Sequence, residues 1–218
     1  MKVLFILILF LTISFPIYSK FLRNLANSDY QYTNYNAVKT NEDISEVTLT
    51  SKTSDQSVVY ITEKGKLIND ANIVKESGDS SNTENSEFYG VNAAILVNGG
   101  SVIISDGAIE TKAKGANALC ATNGGEATIS GTHITSTAES SGRGLHATYG
   151  GKITATRVQV SSTGGSCATL ATDRGEGTVT CSNCTLSTNG AGSPLIYSTG
   201  DISVTGTTGT SGKAQLLL

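Results

Sequence analysis

The segments AILVNGGSVIISDGAIE (residues 94–110), LCATNGGEATISGTHI (119–134), LHATYGGKITATRVQV (145–160) and LATDRGEGTVTCSNCTL (170–186) are four copies of one pattern in a chain of 218 residues. Each copy turns at a glycine, and the turn glycines Gly100, Gly125, Gly151 and Gly177 are separated by 25, 26 and 26 residues. A fifth, shorter copy follows at 195–206. Self-similarity at a fixed period of about 20–50 residues is typical of solenoid proteins.

The composition of each copy predicts the kind of solenoid. Short segments of alternating apolar and polar residues are separated by Gly, Asn, Asp or Ser, and no apolar stripe with the helical period of about 3.6 residues persists. Three strands of about four residues and three turns make a coil of about 24–26 residues at the rise of a β-strand. The sequence therefore predicts an all-β fold, a right-handed parallel β-helix with three sheets.

The alternation also predicts which side chains point into the solenoid. Two inward columns are expected on one sheet: Val102/Ala127/Ile153/Val179/Ile202 and Ile104/Ile129/Ala155/Cys181/Val204. The outward positions on the same strands carry pairs of Thr or Ser in four consecutive coils: Thr128/Ser130, Thr154/Thr156, Thr180/Ser182 and Ser203/Thr205. Thr and Ser suit exposed strand positions, and a flat array of hydroxyl groups would also match a repeating ligand such as a glycan or ice.

The chain divides into three regions and one insert. Residues 1–19 combine a basic start, an apolar run over 3–15 and a small residue at a position suited to cleavage, which is typical of a secretory signal peptide. Residues 20–45 are polar and lack the repeat, so we expect a leader followed by an N-terminal cap. The β-helix is expected over 46–218, with a polar corner insert at 76–90. No later apolar run could span a bilayer, so we expect no transmembrane segment after signal removal.

Composition and charge narrow the classes of function. The net charge is −3 and the basic residues form no cluster, which argues against nucleic acid or an anionic membrane as partner. Aromatic residues make up 6% of the chain and Trp is absent, as expected for a narrow bore filled by small side chains. We recognise no cofactor or metal motif, and the acids of the insert lack the spacing of an EF-hand loop.

The four cysteines would lie in an oxidising compartment if the signal peptide directs secretion. Cys181 and Cys184 point inward across one corner, where they either form a local disulfide or fill the bore as two small thiols. Cys120 and Cys167 are two coils apart, about 10 Å at one strand spacing per coil, so we do not expect them to pair. Asn183 begins the one N-glycosylation sequon, Asn-Cys-Thr.

The candidate ligand site is a group of polar and aromatic residues expected on adjacent coils: His146, Tyr149, Asp173, Arg174, Glu176 and Tyr197. Aromatic rings combined with charged hydrogen-bonding groups are suited to binding sugars. Residues 174–177 could equally be a polar turn lengthened by one residue. Polysaccharide lyases and hydrolases need clustered acids, and the acids of the repeats are scattered over different corners, so no catalytic residue is predicted.

Three phrases, GLHATYGG (144–151), LATDRGEG (170–177) and SPLIYSTGDI (193–202), resemble secreted right-handed β-helix proteins described as adhesin-like or pectin-lyase-like repeat proteins. The resemblance covers about residues 88–211 and implies the fold, whereas it implies a function only weakly. The paired aspartates and His-Gly-rich turn of true pectate lyases and polygalacturonases have no match. Further coils normally follow in such proteins, so it also implies a truncated C-terminal end, with further coils of the same family beyond it.

These observations predict a secreted or cell-surface, non-catalytic β-helix that presents a surface for adhesion, with glycans as the partner class. Two alternatives remain open. A degenerate or partial polysaccharide lyase or hydrolase would show clustered carboxylates in a groove. An ice-binding solenoid would show a flat Thr/Ser sheet, whereas a groove rimmed by His146, Tyr149 and Tyr197 would favour glycan binding.

Overall fold

A computed structural model describes residues 28–33 and 35–216. The expected signal peptide (1–19) and part of the expected leader lie outside the described residues. The described chain is a parallel β-solenoid of about seven turns built from three sheets, each with seven strands. The prediction of a three-sheet β-solenoid is confirmed.

Each sheet takes one strand from every coil, and neighbouring strands are parallel. Sheet A contains β1 (Ala37–Thr40), β4 (Ser57–Ile61), β7 (Ile95–Asn98), β10 (Leu119–Thr122), β13 (Leu145–Ala147), β16 (Leu170–Thr172) and β19 (Ile196–Tyr197). Sheet B contains β2 (Ile44–Ser45), β5 (Lys66–Asn69), β8 (Ser101–Ser105), β11 (Glu126–Ser130), β14 (Lys152–Thr156), β17 (Thr178–Ser182) and β20 (Asp201–Thr205). Sheet C contains β3 (Thr48–Ser51), β6 (Asn72–Lys75), β9 (Ala108–Thr111), β12 (His133–Ser136), β15 (Gln159–Ser162), β18 (Thr185–Thr188) and β21 (Thr208–Ser211).

The strands stack in register, so equivalent side chains form continuous columns. Ile153 pairs with Ala127 on one side and Val179 on the other, and all three are buried. Both predicted inward columns of sheet B are present, and only their last members differ in burial. Ile202 is partly buried and Val204 is 42% exposed, because β20 is the last strand of sheet B in the described part of the chain.

The turn glycines are explained by the close approach of successive coils. A Cβ added at Gly151 would overlap the carbonyl oxygen of Ala121 in the preceding coil, and one at Gly177 would overlap that of Ala147. At the five corners between sheets A and B that carry Gly100, Gly125, Gly151, Gly177 and Gly200, there is therefore no room for a side chain at this position. The glycine recurs because the stacking distance recurs.

A buried polar column, which the sequence reasoning did not identify, runs along the C-terminal ends of the sheet C strands. Its buried members stack in register: Ser51, Lys75, Thr111, Ser136, Ser162 and Thr188. The Lys75 ammonium donates hydrogen bonds to the carbonyl oxygens of Thr53 and Gln56. Burial lowers the pKa of Lys75 to about 8.

Two features of the N-terminal half differ from expectation. Strand pairing begins at Ala37, inside the region expected to be leader and cap, because β1 adds to sheet A ahead of the regular repeat. The insert at 76–90 is also more than a polar loop, because it contains helix α1 (Thr83–Tyr89). The Asn82 side chain caps this helix by accepting a hydrogen bond from the Glu84 backbone N–H, and Gly90 ends it in the left-handed conformation.

Candidate ligand-binding cleft

The outer face of sheet A is covered by other parts of the chain. Its outward side chains Tyr60, Leu96, Cys120 and His146 stack in register along four successive strands. All four are buried. The covering layer, which we call the aromatic cover, consists of Tyr30, Tyr32 and Tyr35 from the N-terminal segment, Phe88 and Tyr89 from α1, and Tyr149 from the corner after β13.

Ring stacking and hydrogen bonds hold the aromatic cover together. Tyr89 stacks between Tyr30 and Tyr149, with ring centroids at 4.9 and 5.7 Å. The Tyr32 hydroxyl donates a 2.6 Å hydrogen bond to the carbonyl oxygen of Tyr89, and the Tyr35 hydroxyl accepts one from the backbone N–H of Asn92, shortly before β7. Burial raises the pKa of both Tyr32 and Tyr35. The cover thus ties the N-terminal segment to α1 and both to the solenoid.

His146 lies beneath this layer and is fully buried, so it does not rim a groove as expected. Its Nδ1 is 4.0 Å from the Cys120 sulfur, and its Nε2 has no hydrogen-bond partner. Burial and the positive charge of Arg143 lower the pKa of His146 well below its usual range. His146 is therefore a neutral core residue of the covered face.

Three more predicted site residues lie at the corner after sheet A. Tyr149 offers one ring face to Tyr89, and the Arg174 guanidinium lies 3.9 Å from the centroid of the Phe88 ring. Glu176 is exposed with φ of 60°. This corner contains one residue more than its predecessor, because Leu170 pairs with Leu145 while Thr178 pairs with Lys152. Glu176 is therefore part of a polar turn with one extra residue, which was the alternative interpretation. Tyr149 and Arg174 instead pack against the aromatic residues of α1.

Arg143, which was not among the predicted site residues, is the charged centre of a cleft beside the cover. It lies two residues before β13 begins, and its side chain is only 9% exposed. Its Nη2 lies 3.5 Å from Asp173 Oδ2 and 3.8 Å from Glu87 Oε1, and its guanidinium lies 5.8 Å from the centroid of the Tyr197 ring. Its Nη1 is buried and has no hydrogen-bond partner.

The cleft brings together three coils and α1. Its volume is about 240 Å³, and its lining residues are Glu87, Arg143, Ser166, Ala168, Gly192, Pro194 and Tyr197. Sites for small ligands usually combine apolar walls with a few fixed polar groups. Here Tyr197 and Pro194 supply apolar surface, while Arg143 and Glu87 supply hydrogen-bonding groups of both kinds.

Asp173 contacts the cleft residue Arg143 without being one of the lining residues. It is 7% exposed, and its Oδ1 accepts a 2.9 Å hydrogen bond from the Arg174 backbone N–H. Burial raises the pKa of its carboxyl group, and the nearby positive charge of Arg143 partly opposes this rise. Of the six predicted site residues, Asp173 and Tyr197 are therefore the two that the structure brings to the cleft with Arg143 and Glu87.

One signal in the sequence could have indicated the covered face. The outward positions of sheet A carry Tyr60, Leu96, Cys120 and Ala171 on either side of His146, whereas those of sheet B carry Thr or Ser from β11 to β20, after the exposed Leu67 and Ile103. An apolar outward column predicts a second layer of packing. No comparable pattern marks Arg143, because its partners lie 56 and 30 residues away in the sequence, at Glu87 and Asp173.

The bridged cysteines and the sequon lie at the corner between sheets B and C, whereas Cys167 lies between the cleft residues Ser166 and Ala168. Cys181 and Cys184 form a disulfide across the corner between sheets B and C, whereas Cys120 and Cys167 are free and buried. Asn183 is exposed between the two bridged cysteines, with φ of 55°. Glycosylation at Asn183 stays a prediction.

Within residues 28–33 and 35–216, no three His, Cys, Asp or Glu side chains are grouped so that they could hold a metal ion. Over the same residues, no helix is long and apolar enough to cross a membrane.

Comparison of the chain with family models, curated proteins and solved structures gave no match. The β-solenoid fold is therefore established by the strand topology alone.

Proposed function

We propose that this chain is a secreted or cell-surface, non-catalytic solenoid that binds glycans, in the manner of adhesin-like β-helix proteins. The observation that carries the proposal is the cleft at Arg143, where a buried guanidinium with a free N–H donor lies over an aromatic ring. Sugars present hydroxyl groups at their edges and C–H groups on their faces. Guanidinium and carboxylate groups can form hydrogen bonds with the hydroxyl groups, and a tyrosine ring can pack against the C–H face.

The test is a glycan array probed with the purified full chain, followed by titration of the best ligand. The Tyr197→Ala variant should lower affinity by about tenfold or more, as expected for an aromatic anchor in a binding site. The Thr154→Ala/Thr156→Ala double variant, on the outer face of sheet B, is the matched control and should bind like the wild type. Circular dichroism should be the same for all three proteins. Absence of binding to every glycan, or loss of binding only in the threonine variant, would contradict the proposal.

The enzymatic alternative is separated by examining the ligand after binding. Glu87 and Asp173 are two carboxylates that share one guanidinium, which is the feature that would favour a partial lyase or hydrolase. Under the binding proposal, an oligosaccharide incubated with the chain is recovered intact by mass spectrometry. Shortened or unsaturated products that disappear in an Asp173→Asn variant would replace the proposal with the enzymatic one.

The ice-binding alternative is supported by the outer face of sheet B. Thr128, Thr154, Thr180 and Ser203 stack in register along four successive strands, and a second column of Thr and Ser runs beside them. Regular hydroxyl spacing over several coils is the geometry that such binding would need. Measurement of the freezing point during ice growth decides between the two functions, because the glycan proposal predicts no depression beyond that of an inert protein.

Secretion is the remaining part of the proposal. It is supported by the basic start and apolar run of residues 1–19. N-terminal sequencing of protein recovered from the medium of a secreting host should begin at Lys20. Recovery of the chain only inside the cells, with residues 1–19 attached, would contradict secretion.

A further inference from the structure

We infer that the Arg143 cleft accepts an uncharged sugar unit through its hydroxyl groups and rejects the corresponding carboxylated sugar. The inference rests on the proposed glycan-binding function and adds to it the chemical class of the ligand. It depends on two observations about Arg143: its side chain is paired with two carboxylates, and its Nη1 has no hydrogen-bond partner.

Arg143 leaves one of its N–H donors without a partner. An arginine has five N–H donors and no acceptor. The Nη1 of Arg143 is buried without a partner, and leaving a charged donor unpaired in this way is costly. The cleft volume of about 240 Å³ borders this side chain. A ligand oxygen that approached Nη1 from the cleft, with a small shift of the guanidinium, would satisfy the donor.

A group that enters the cleft meets the charges of two guanidiniums and two carboxylates. The Arg143 charge is already shared by Glu87 and Asp173, which approach the same nitrogen, Nη2. Arg174 is held over the Phe88 ring and balances the second carboxylate. The two guanidiniums and two carboxylates sum to zero, so these four groups have no excess positive charge with which to attract an anion. Lys213 lines the neighbouring pocket, which shares Gly192 and Pro194 with the cleft. A carboxylated sugar would approach Glu87 directly, and juxtaposed like charges suppress binding.

A hydroxyl group suits the cleft because it can both donate and accept a hydrogen bond. A hydroxyl oxygen can accept from Nη1 while its proton is donated to a carboxylate oxygen, so it satisfies both kinds of group at once. A carboxylate can only accept. The Tyr197 ring, 5.8 Å from the guanidinium, leaves an apolar surface against which the C–H face of a sugar ring can pack. The cleft is small, so it is suited to one sugar unit at a chain end or a branch.

The experiment compares sugars that differ only in charge. Cello-, manno- and galacto-oligosaccharides are titrated against the full chain, each beside the same oligosaccharide oxidised at C6 to the carboxylate. At least one neutral form should bind, and its oxidised partner should bind roughly tenfold or more weakly at low salt. Equal or tighter binding of the oxidised form would overturn the inference while leaving the proposed function standing. If neither the neutral nor the oxidised oligosaccharides bind, both the inference and the proposed function are wrong.

A pair of variants on α1 makes the charge argument specific. Glu87→Gln removes one carboxylate that faces the entering sugar, so the preference for the neutral form should shrink by about fivefold or more. Glu84→Gln removes the same charge from an exposed position one turn earlier on the same helix, and should leave the preference unchanged. A preference that is the same in both variants, or that shrinks equally in both, would show that Glu87 does not select against charge and would overturn the inference.

Discussion

Neighbouring residues on a sheet B strand face opposite environments, as Ile153 and Thr154 show. Ile153 is fully buried between Ala127 and Val179, whereas Thr154 is partly exposed on the outer face. Ile153→Asp would place an unpaired charge in the bore. We expect it to abolish cooperative unfolding or to lower the free energy of unfolding by at least about 3 kcal/mol.

Thr154→Asp is the matched control, because it introduces the same side chain one residue away on the outer face. It should lower the free energy of unfolding by about 1 kcal/mol or less, as expected for an exposed strand position. Chemical denaturation followed by circular dichroism measures both variants. Equal losses would mean that the inward and outward assignment of β14 is wrong.

His146 should make the stability of the chain depend on pH below neutrality. Burial lowers its pKa in the folded chain well below 6.5, so below pH 6.5 the unfolded chain binds a proton that the folded chain does not. The free energy of unfolding is therefore highest above pH 6.5 and falls as the pH decreases through that value. His146→Leu should remove this part of the fall, and should cost little at pH 8 because Nε2 has no partner to lose.

The control for this prediction is the other histidine of the chain, His133, which is exposed on sheet C. Free energies of unfolding are measured by denaturant titration between pH 5 and 8 for the wild type, His146→Leu and His133→Leu. The prediction fails if the difference between wild type and His146→Leu is constant over this range, or if His133→Leu changes the pH profile as strongly.

The disulfide between Cys181 and Cys184 can be tested in the secreted protein. Closing so short a loop is worth about 2 kcal/mol in the chain-entropy description. Peptide mapping of the secreted protein without reduction should recover both cysteines in one bridged peptide, with Cys120 and Cys167 as free thiols. Quantitative alkylation of Cys181 and Cys184 before reduction would show that they only fill the bore.

At the scale of elements, the N-terminal segment and α1 act together as a second layer on sheet A. Tyr32 packs on the cluster formed by Tyr60, Leu96 and Cys120, and its hydroxyl bonds to the carboxyl end of α1. α1 also supplies Glu87 to the cleft. Loosening this layer should therefore expose a buried thiol and weaken ligand binding at once.

Thiol labelling under native conditions measures the first of these effects. Tyr32→Ala should increase the rate at which a water-soluble maleimide labels Cys120, by about tenfold or more if the cover opens locally. Tyr32→Phe keeps the ring and should label at nearly the wild-type rate. Cys167, buried near Gly142 and Gly165, is the internal reference. Equal acceleration at both cysteines would indicate general destabilisation and contradict a separate cover.

At the scale of the whole molecule, the three sheets present different outer faces. The cover and the cleft occupy sheet A, while sheet B presents the Thr/Ser columns. We therefore expect ligand binding to be confined to the sheet A side. An antibody fragment raised against the outer face of sheet B, with its epitope verified by its loss in the Thr154→Ala/Thr156→Ala variant, should leave glycan affinity unchanged. Competition between such a fragment and the glycan would place the site on sheet B.

The sequence alone determined the repeat, the three-sheet coil and the inward columns. These features are local, because each depends on a period of two along a strand and on a glycine that recurs at successive corners between sheets A and B, from Gly100 to Gly200. Ile153 and Gly151 could be assigned without any structure, since each copy of the repeat supplies the same evidence again. The extra residue at 174–177 was visible for the same reason.

Only the tertiary structure decided what covers sheet A and where the cleft lies. An insert of about fifteen residues occurs once, so no repeat indicates that it forms a short helix or which face it packs against. A helix this short depends on tertiary contacts, since isolated helices below about 12 residues are marginal in water. The packing of α1 on sheet A buries His146 and brings Glu87 to Arg143, which also contacts Asp173. These residues come from separate coils, so no local pattern in the sequence connects them.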